Sequence, residues 1–215
     1  MSLFQPGPPL RVKICGLTNA ADAVTAIASG ADALGFNFYS ESKRFLDFET
    51  ARPWITALAG RTQRIAVVVN PSPAQLATLR DSGCFDAIQF HGDETPAFCA
   101  AAGFPLWMRA ARVKDAASLD ASLAYDTPHL LLDAWSADAY GGTGERLDWD
   151  IAREFILANP DRKIILAGGL TPNNVREAVR IARPHGADVA GGVELEPRRK
   201  NEYLMREFIH VARAA

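Results

Sequence analysis

Short apolar runs with β-type residues alternate with helical patterns along most of the chain. VKICGL (12–17), ALGFNF (33–38), RIAVVV (64–69), AIQFHG (87–92), LWMRAA (106–111), HLLLDA (129–134), KIILAG (163–168) and ADVAG (187–191) read as strands. Helical stretches lie between them. Thr18 or Asn19 caps the first, which runs over 20–28 and stops at Gly30. Asp47 opens a second, in which Pro53 must start or bend a turn. Ser72–Pro73 and Thr95–Pro96 each set a cap residue before a proline at the first helical position. Further helices are expected at 115–125, 148–158, 173–183 and 201–214, with a helical start directly after the last strand.

Alternating β and α elements imply parallel strands joined by crossover helices. An open doubly wound sheet and a closed barrel both satisfy that. An open sheet is covered on both faces, so its strands read as continuous apolar runs. Here several strands carry polar residues at alternate positions near their C-terminal ends. Lys13 and Cys15 share one face of strand 1, with Val12 and Ile14 on the other. Gln89 and His91 oppose Ile88 and Phe90, and Asp133 shares a face with Leu131. One face is covered by helices and the other is partly polar, which favours a single (β/α)8 TIM barrel with parallel strands and its site at the C-terminal rim. Residues 1–10, with three prolines, read as a flexible lead-in, and 11–215 as the barrel domain.

Composition narrows the function. The chain has 215 residues and a net charge of −2, from 23 basic and 25 acidic side chains. No basic field is present to hold nucleic acid or an anionic membrane, and no apolar run suits a membrane span. Three cysteines without a CxxC pair fit a reducing, cytoplasmic setting. The four histidines form no HxH or HExxH pair, so no metal is expected. No P-loop or GxGxxG follows a strand, so no nucleotide cofactor is expected.

The candidate chemistry collects at strand ends. Cys15 would place its thiol at the barrel mouth, where a nearby cation such as Lys13 would favour the thiolate, a base or nucleophile. Its alternative role is that of a small buried hydrophobe, as Cys84 and Cys99 are expected to be. Asp133 ends an otherwise apolar strand, where a carboxyl is costly unless hydrogen-bonded or functional. The loop after it holds Gly141, Gly142 and Gly144, which let backbone approach a ligand. Gly168 and Gly169 after strand 7, and Gly191 and Gly192 after strand 8, stand where such barrels bind phosphate. Arg44, after strand 2, suits a carboxylate, although a solvated arginine reads the same way. Lys13, Gln89 and His91 are expected to line the pocket floor.

Taken in order, VKICGLTNAADA, ADALGFNFYSESKRF, RIAVVVNPSP, DAIQFHGDE, LLLDAWSADAYGGTGERLDW, ILAGGLTPNNV and GADVAGGVE resemble the phosphoribosylanthranilate isomerases of tryptophan biosynthesis. The resemblance implies an Amadori rearrangement of N-(5′-phosphoribosyl)anthranilate to its deoxyribulose isomer, without metal or organic cofactor. It implies Cys15 as general base, Asp133 as general acid, Arg44 on the anthranilate carboxylate and the glycine loops on the phosphate. It also implies a cytoplasmic monomer or homodimer acting on a small phosphorylated substrate.

Three places depart from the family pattern. Ala190 and Gly191 replace two serines after strand 8. Arg198 stands where a glycine is expected and Asn201 where an aspartate is. Lys43 stands where a proline is common. Arg198 is expected to add charge near the phosphate. Two other readings stay open: a related sugar-phosphate isomerase or epimerase, and a barrel that binds a phosphorylated metabolite without turning it over.

Overall fold

The computed structural model describes residues 9–135 and 147–215. Each expected strand forms and a helix follows each. The order is β1 (Arg11–Cys15), α1 (Ala20–Ala28), β2 (Ala33–Asn37), α2 (Phe48–Thr56), β3 (Gln63–Val68), α3 (Pro73–Asp81), β4 (Ala87–Phe90) and α4 (Pro96–Ala100). It continues with β5 (Trp107–Val113), α5 (Ala116–Ser122), β6 (His129–Ala134), α6 (Trp149–Ala158), β7 (Lys163–Leu166), α7 (Val175–Ala182), β8 (Gly186–Val189), a short hairpin of β9 (Glu194–Glu196) and β10 (Arg199–Lys200), and α8 (Glu202–Arg213). β1 pairs in parallel with both β2 and β8, which closes the barrel.

The alternation along the strands sorts side chains between two layers. Val12, Ile14, Leu34, Phe36, Ile88, Phe90, Leu130 and Leu132 face outward into one large core beneath the helices. Ala33, Ile65, Ala87, Met108, Ala110, Leu131, Ile165 and Ala167 form a separate inner cluster. Four of these eight are alanines, interleaved with the larger Ile65, Met108, Leu131 and Ile165.

Side chains cap most of the helices. Asn19, Asp47, Ser72, Thr95, Asp115, Asp148 and Asn201 each accept from a backbone N–H of the first turn. Asn201 is thus a cap residue, a task that aspartate does equally well.

The structure corrects the sequence reading at two points. α2 runs through Pro53 without breaking. Pro53 lies on the exposed face, while Trp54 packs edge-on to Phe36 and Phe48 edge-on to Phe38. Aromatic packing outweighs the one lost helical hydrogen bond. After β8 the chain does not enter a helix directly. It makes a single 3₁₀ turn, Gly191–Val193, and then the β9–β10 hairpin. The lead-in expected over 1–10 falls largely outside the described residues, but Leu10 already packs on the outer core.

Candidate active site

Strand register brings the first groups together. Lys13 and Asp188 are partners on β1 and β8, so both point into the barrel, and Lys13 Nζ donates to Asp188 Oδ1 at 2.8 Å. The Lys13 side chain is wholly buried. Burial opposes its charge, but Asp188 and Cys15 outweigh that and hold its pKa above the usual lysine value.

Cys15 is the register partner of Gly35. A Cβ built on Gly35 would lie 2.6 Å from Cys15 Sγ and 3.0 Å from Lys13 Nζ. The thiol and the ammonium therefore fill the space that any side chain at position 35 would take. The expectation that a neighbouring cation lowers the thiol pKa is corrected here. Burial pushes the Cys15 thiol up, and Asp188 adds to that push. Lys13 and Lys200 pull it down without cancelling it.

Arg44 comes to the same place from the loop after β2. Its Cδ crosses Gly16 so closely that no Cβ fits there, and Gly16 has φ +73, a conformation that glycine adopts without strain. Its guanidinium meets Glu194 side by side, with Nε to Oε1 at 2.8 Å and Nη2 to Oε2 at 2.7 Å. Glu194 also accepts from Lys200 Nζ at 2.8 Å, and Lys200 donates to the Ala190 carbonyl at 3.0 Å. The hydrogen bond to Glu194 raises the Arg44 pKa further. Burial works against charge on Glu194, yet Arg44 and Lys200 together hold its carboxyl below the usual range. Burial holds Lys200 below the usual lysine value, against the pull of Glu194.

Asp133 belongs to a second group. It is only 8% exposed. Its Oδ1 accepts from the Ala134 N–H at 3.0 Å, and its Oδ2 lies 3.3 Å from His91 Nε2. That last contact is close but not aligned as a hydrogen bond, so His91 Nε2 and Gln89 Oε1 are buried polar atoms without one. Gln89 Nε2 and His91 Nδ1 are 3.2 Å apart. β6 is separated from β1 by β7 and β8 on one side and by β2 to β5 on the other. Asp133 and Cys15 therefore approach the mouth from different sides.

Neighbouring atoms approach the glycines after β7 and β8 closely. A Cβ on Gly168, at φ +79, would lie 2.7 Å from Ala134 N and 3.3 Å from Asp133 Oδ1. Gly169, also at positive φ, has its carbonyl bonded by Asn174 Nδ2 at 2.9 Å, and Asn174 Oδ1 accepts from Thr171 N at 2.8 Å. Asn174 thus ties the loop after β7 rather than capping α7. Gly192 lies against the Leu170 carbonyl so closely that no side chain fits. A Cβ on Gly191 would come to 3.1 Å from Arg44 Nη2. Gly142 and Gly144 lie outside the described residues.

Arg198 lies on the β9–β10 hairpin. It sits exposed at the hairpin turn with φ +77, and its carbonyl accepts from Thr18 Oγ1 at 3.1 Å. Pro197–Arg198 occupies a turn position that favours glycine. Cys84 and Cys99 are buried, as expected. Among the described residues no three His, Cys, Asp or Glu side chains cluster as metal ligands, and no helix is long and apolar enough to cross a membrane.

The amino-acid sequence alone does not single out Asp188, Glu194, Lys200 or Gly35. Asp188 carries a usable signal, since it interrupts β8 as Lys13 interrupts β1.

The sequence model of the family described as N-(5′-phosphoribosyl)anthranilate (PRA) isomerase matches residues 12–211. This chain belongs to that family. The family assignment rests on nearly the whole barrel. A PRA isomerase of Geobacter sulfurreducens is 46% identical over 204 residues, covering 95% of this chain and 98% of its own. The PRA isomerase structure from Thermotoga maritima superposes with a TM-score of 0.85 at 36% identity, covering 96% of this chain and 100% of that one. A PRA isomerase in complex with reduced 1-(o-carboxyphenylamino)-1-deoxyribulose 5-phosphate superposes at 0.83 with 34% identity, over the same shares of both chains.

Proposed function

We propose that this barrel performs the PRA isomerase reaction with Cys15 as general base and Asp133 as general acid. The enzyme is an isomerase of tryptophan biosynthesis that converts N-(5′-phosphoribosyl)anthranilate to 1-(2-carboxyphenylamino)-1-deoxyribulose 5-phosphate. The observation that carries the assignment of roles is the placement of the Cys15 thiol. It lies over Gly35, beside the Lys13 ammonium, with Arg44 crossing the adjacent Gly16.

The chemistry needs an acid and then a base. The Asp133 carboxyl gives its proton to the furanose ring oxygen. The C1′–O bond breaks as the anilino nitrogen's lone pair forms the C=N bond. The resulting cation acidifies the C2′–H, and ionised Asp133 stabilises the charge. The Cys15 thiolate takes the C2′ proton; the electron pair of the C2′–H bond forms C1′=C2′, and the C=N π pair returns to the nitrogen. The enolamine then becomes the ketone: the 2′-hydroxyl loses its proton and C1′ gains one. Gln89 Oε1 can accept from a sugar hydroxyl near Asp133, and His91 Nε2, which carries the ring proton because Nδ1 accepts from Gln89 Nε2, can donate to one.

Arg44 holds the anthranilate carboxylate. Loop backbone at Gly168, Gly169, Gly191 and Gly192 holds the phosphate. The partner is this small phosphorylated substrate alone. The enzyme acts in the cytoplasm as a monomer or homodimer, in keeping with its three free cysteines.

Fluorescence of freshly made substrate tests the proposal. It should decay with purified protein in EDTA, and Asp133→Asn should slow the decay by roughly a thousandfold while ligand binding stays within about tenfold. Tight binding of the reduced product analogue without any decay would instead mark a binding protein.

A further inference from the structure

Arg44 presents a problem of charge. A guanidinium whose Nε and Nη2 are taken side by side by a carboxylate is half occupied. Paired with Glu194 alone, it would also be neutralised, and a neutral pair attracts no substrate carboxylate. Lys200 changes that balance. It is buried, on β10, and binds the same Glu194 oxygen that Arg44 Nε binds. One carboxylate is thereby shared between two cations, and the group keeps one positive charge. The β9–β10 hairpin appended after β8 carries both Glu194 and Lys200.

The geometry is as fixed as the charge. Glu194 and Lys200 side chains are 4% and 0% exposed. Lys200 is tied a second time, to the Ala190 carbonyl. Arg44 is threaded between Gly16 and Gly191, each without a side chain to push it. Glu194 leaves Nη1 and one Nη2 hydrogen of Arg44 for an incoming carboxylate.

We propose that Glu194 and Lys200 are a positioning and specificity pair: Glu194 aims the Arg44 guanidinium, and Lys200 keeps its positive charge unspent, so that the site selects substrates bearing an aryl carboxylate. This rests on Arg44 being the carboxylate-binding residue.

Two reduced product analogues separate the roles, one with the 2-carboxyphenylamino group and one with plain phenylamino. Binding of both is measured by isothermal titration on folded protein, checked by thermal melting. Wild type should prefer the carboxylate by about tenfold or more, and Arg44→Ala should lose that preference. Absence of either result overturns the Arg44 reading and this inference with it. If both hold, Glu194→Gln and Lys200→Met should each shrink the preference to about threefold or less. Each should bind the carboxylate-free analogue within about threefold of wild type. Glu194→Gln combined with Arg44→Ala should match Arg44→Ala alone. A retained preference in both single variants, or equal weakening of both analogues, would overturn the positioning role and leave Arg44 standing. Should Glu194→Gln fail to fold, Lys200→Met and Glu194→Asp carry the same comparison.

Discussion

Two buried ionic networks sit at the C-terminal end of this barrel, and they are built differently. In the first, Glu94 accepts from the backbone N–H groups of Asn70 at 2.7 Å and Gly92 at 2.9 Å and from Arg109 Nη1 at 2.8 Å. Arg109 also donates to the Gly92 carbonyl at 2.7 Å and lies over the Tyr125 ring at 4.7 Å. One carboxylate meets one guanidinium, and Asn70 Oδ1 ties the loop again through the Asp93 N–H. This network faces the outer layer and stitches the loops after β3 and β4 together.

The second network faces inward. Lys13, Arg44 and Lys200 stand against Asp188 and Glu194, so its formal charges leave one cation over. A thiol lies in its middle. A balanced network that satisfies its own donors holds structure. An unbalanced one around a thiol leaves a positive charge to be offset by an anion, which on the proposed mechanism is the thiolate or the substrate carboxylate.

The contrast predicts opposite phenotypes. Cys15→Ala should cost roughly a thousandfold or more in turnover while the melting temperature barely moves. Glu94→Gln should do the reverse. It leaves Arg109 buried without its partner charge and should cost about 3–5 kcal/mol of stability, with turnover of the surviving folded protein near normal. Urea melts and steady-state rates on both variants check this. Equal effects on both quantities in both variants would erase the distinction.

Gly35→Ala sharpens the comparison within the inner network. Its methyl would lie 2.6 Å from Cys15 Sγ, so the thiol must move. A displacement of this kind should lower kcat by about a hundredfold with Cys15 still present. The smallest effect is expected at the hairpin turn. Arg198→Gly removes a side chain held at φ +77 and should stabilise the fold by about 1 kcal/mol. Binding of inorganic phosphate should be unchanged, since Arg198 is exposed on the turn.

The sequence is informative wherever a local period carries the message. Alternation within β1, β4 and β6 separates inner from outer faces, and it marks Lys13, Cys15, Gln89, His91 and Asp133 as polar residues on the inner one. Partners far along the chain leave no such mark. Lys13 and Asp188 are 175 residues apart, and Arg44 and Glu194 are 150 apart. Only closure of the barrel brings each pair together. The β9–β10 hairpin is hidden for a local reason: arginine occupies the turn position where glycine would have signalled it. Gly35 is unreadable because its meaning is the volume that its neighbours fill. The direction of the Cys15 pKa shift depends on burial, which outweighs the two nearby lysines.

On the proposed mechanism the Cys15 thiolate is the base in the inward network. Lys13 and Asp188 face it from β1 and β8, Arg44 from the loop after β2, and Lys200 from the hairpin. Burial holds the thiol above its ordinary pKa, so the thiolate fraction grows as pH rises beyond neutral. The most direct measurement is kcat/KM against pH, set beside the pH dependence of Cys15 alkylation in the free enzyme. Both should rise on the alkaline side with one shared pKa above that of a free thiol. A kcat/KM that is flat across the range where the thiol ionises would contradict it.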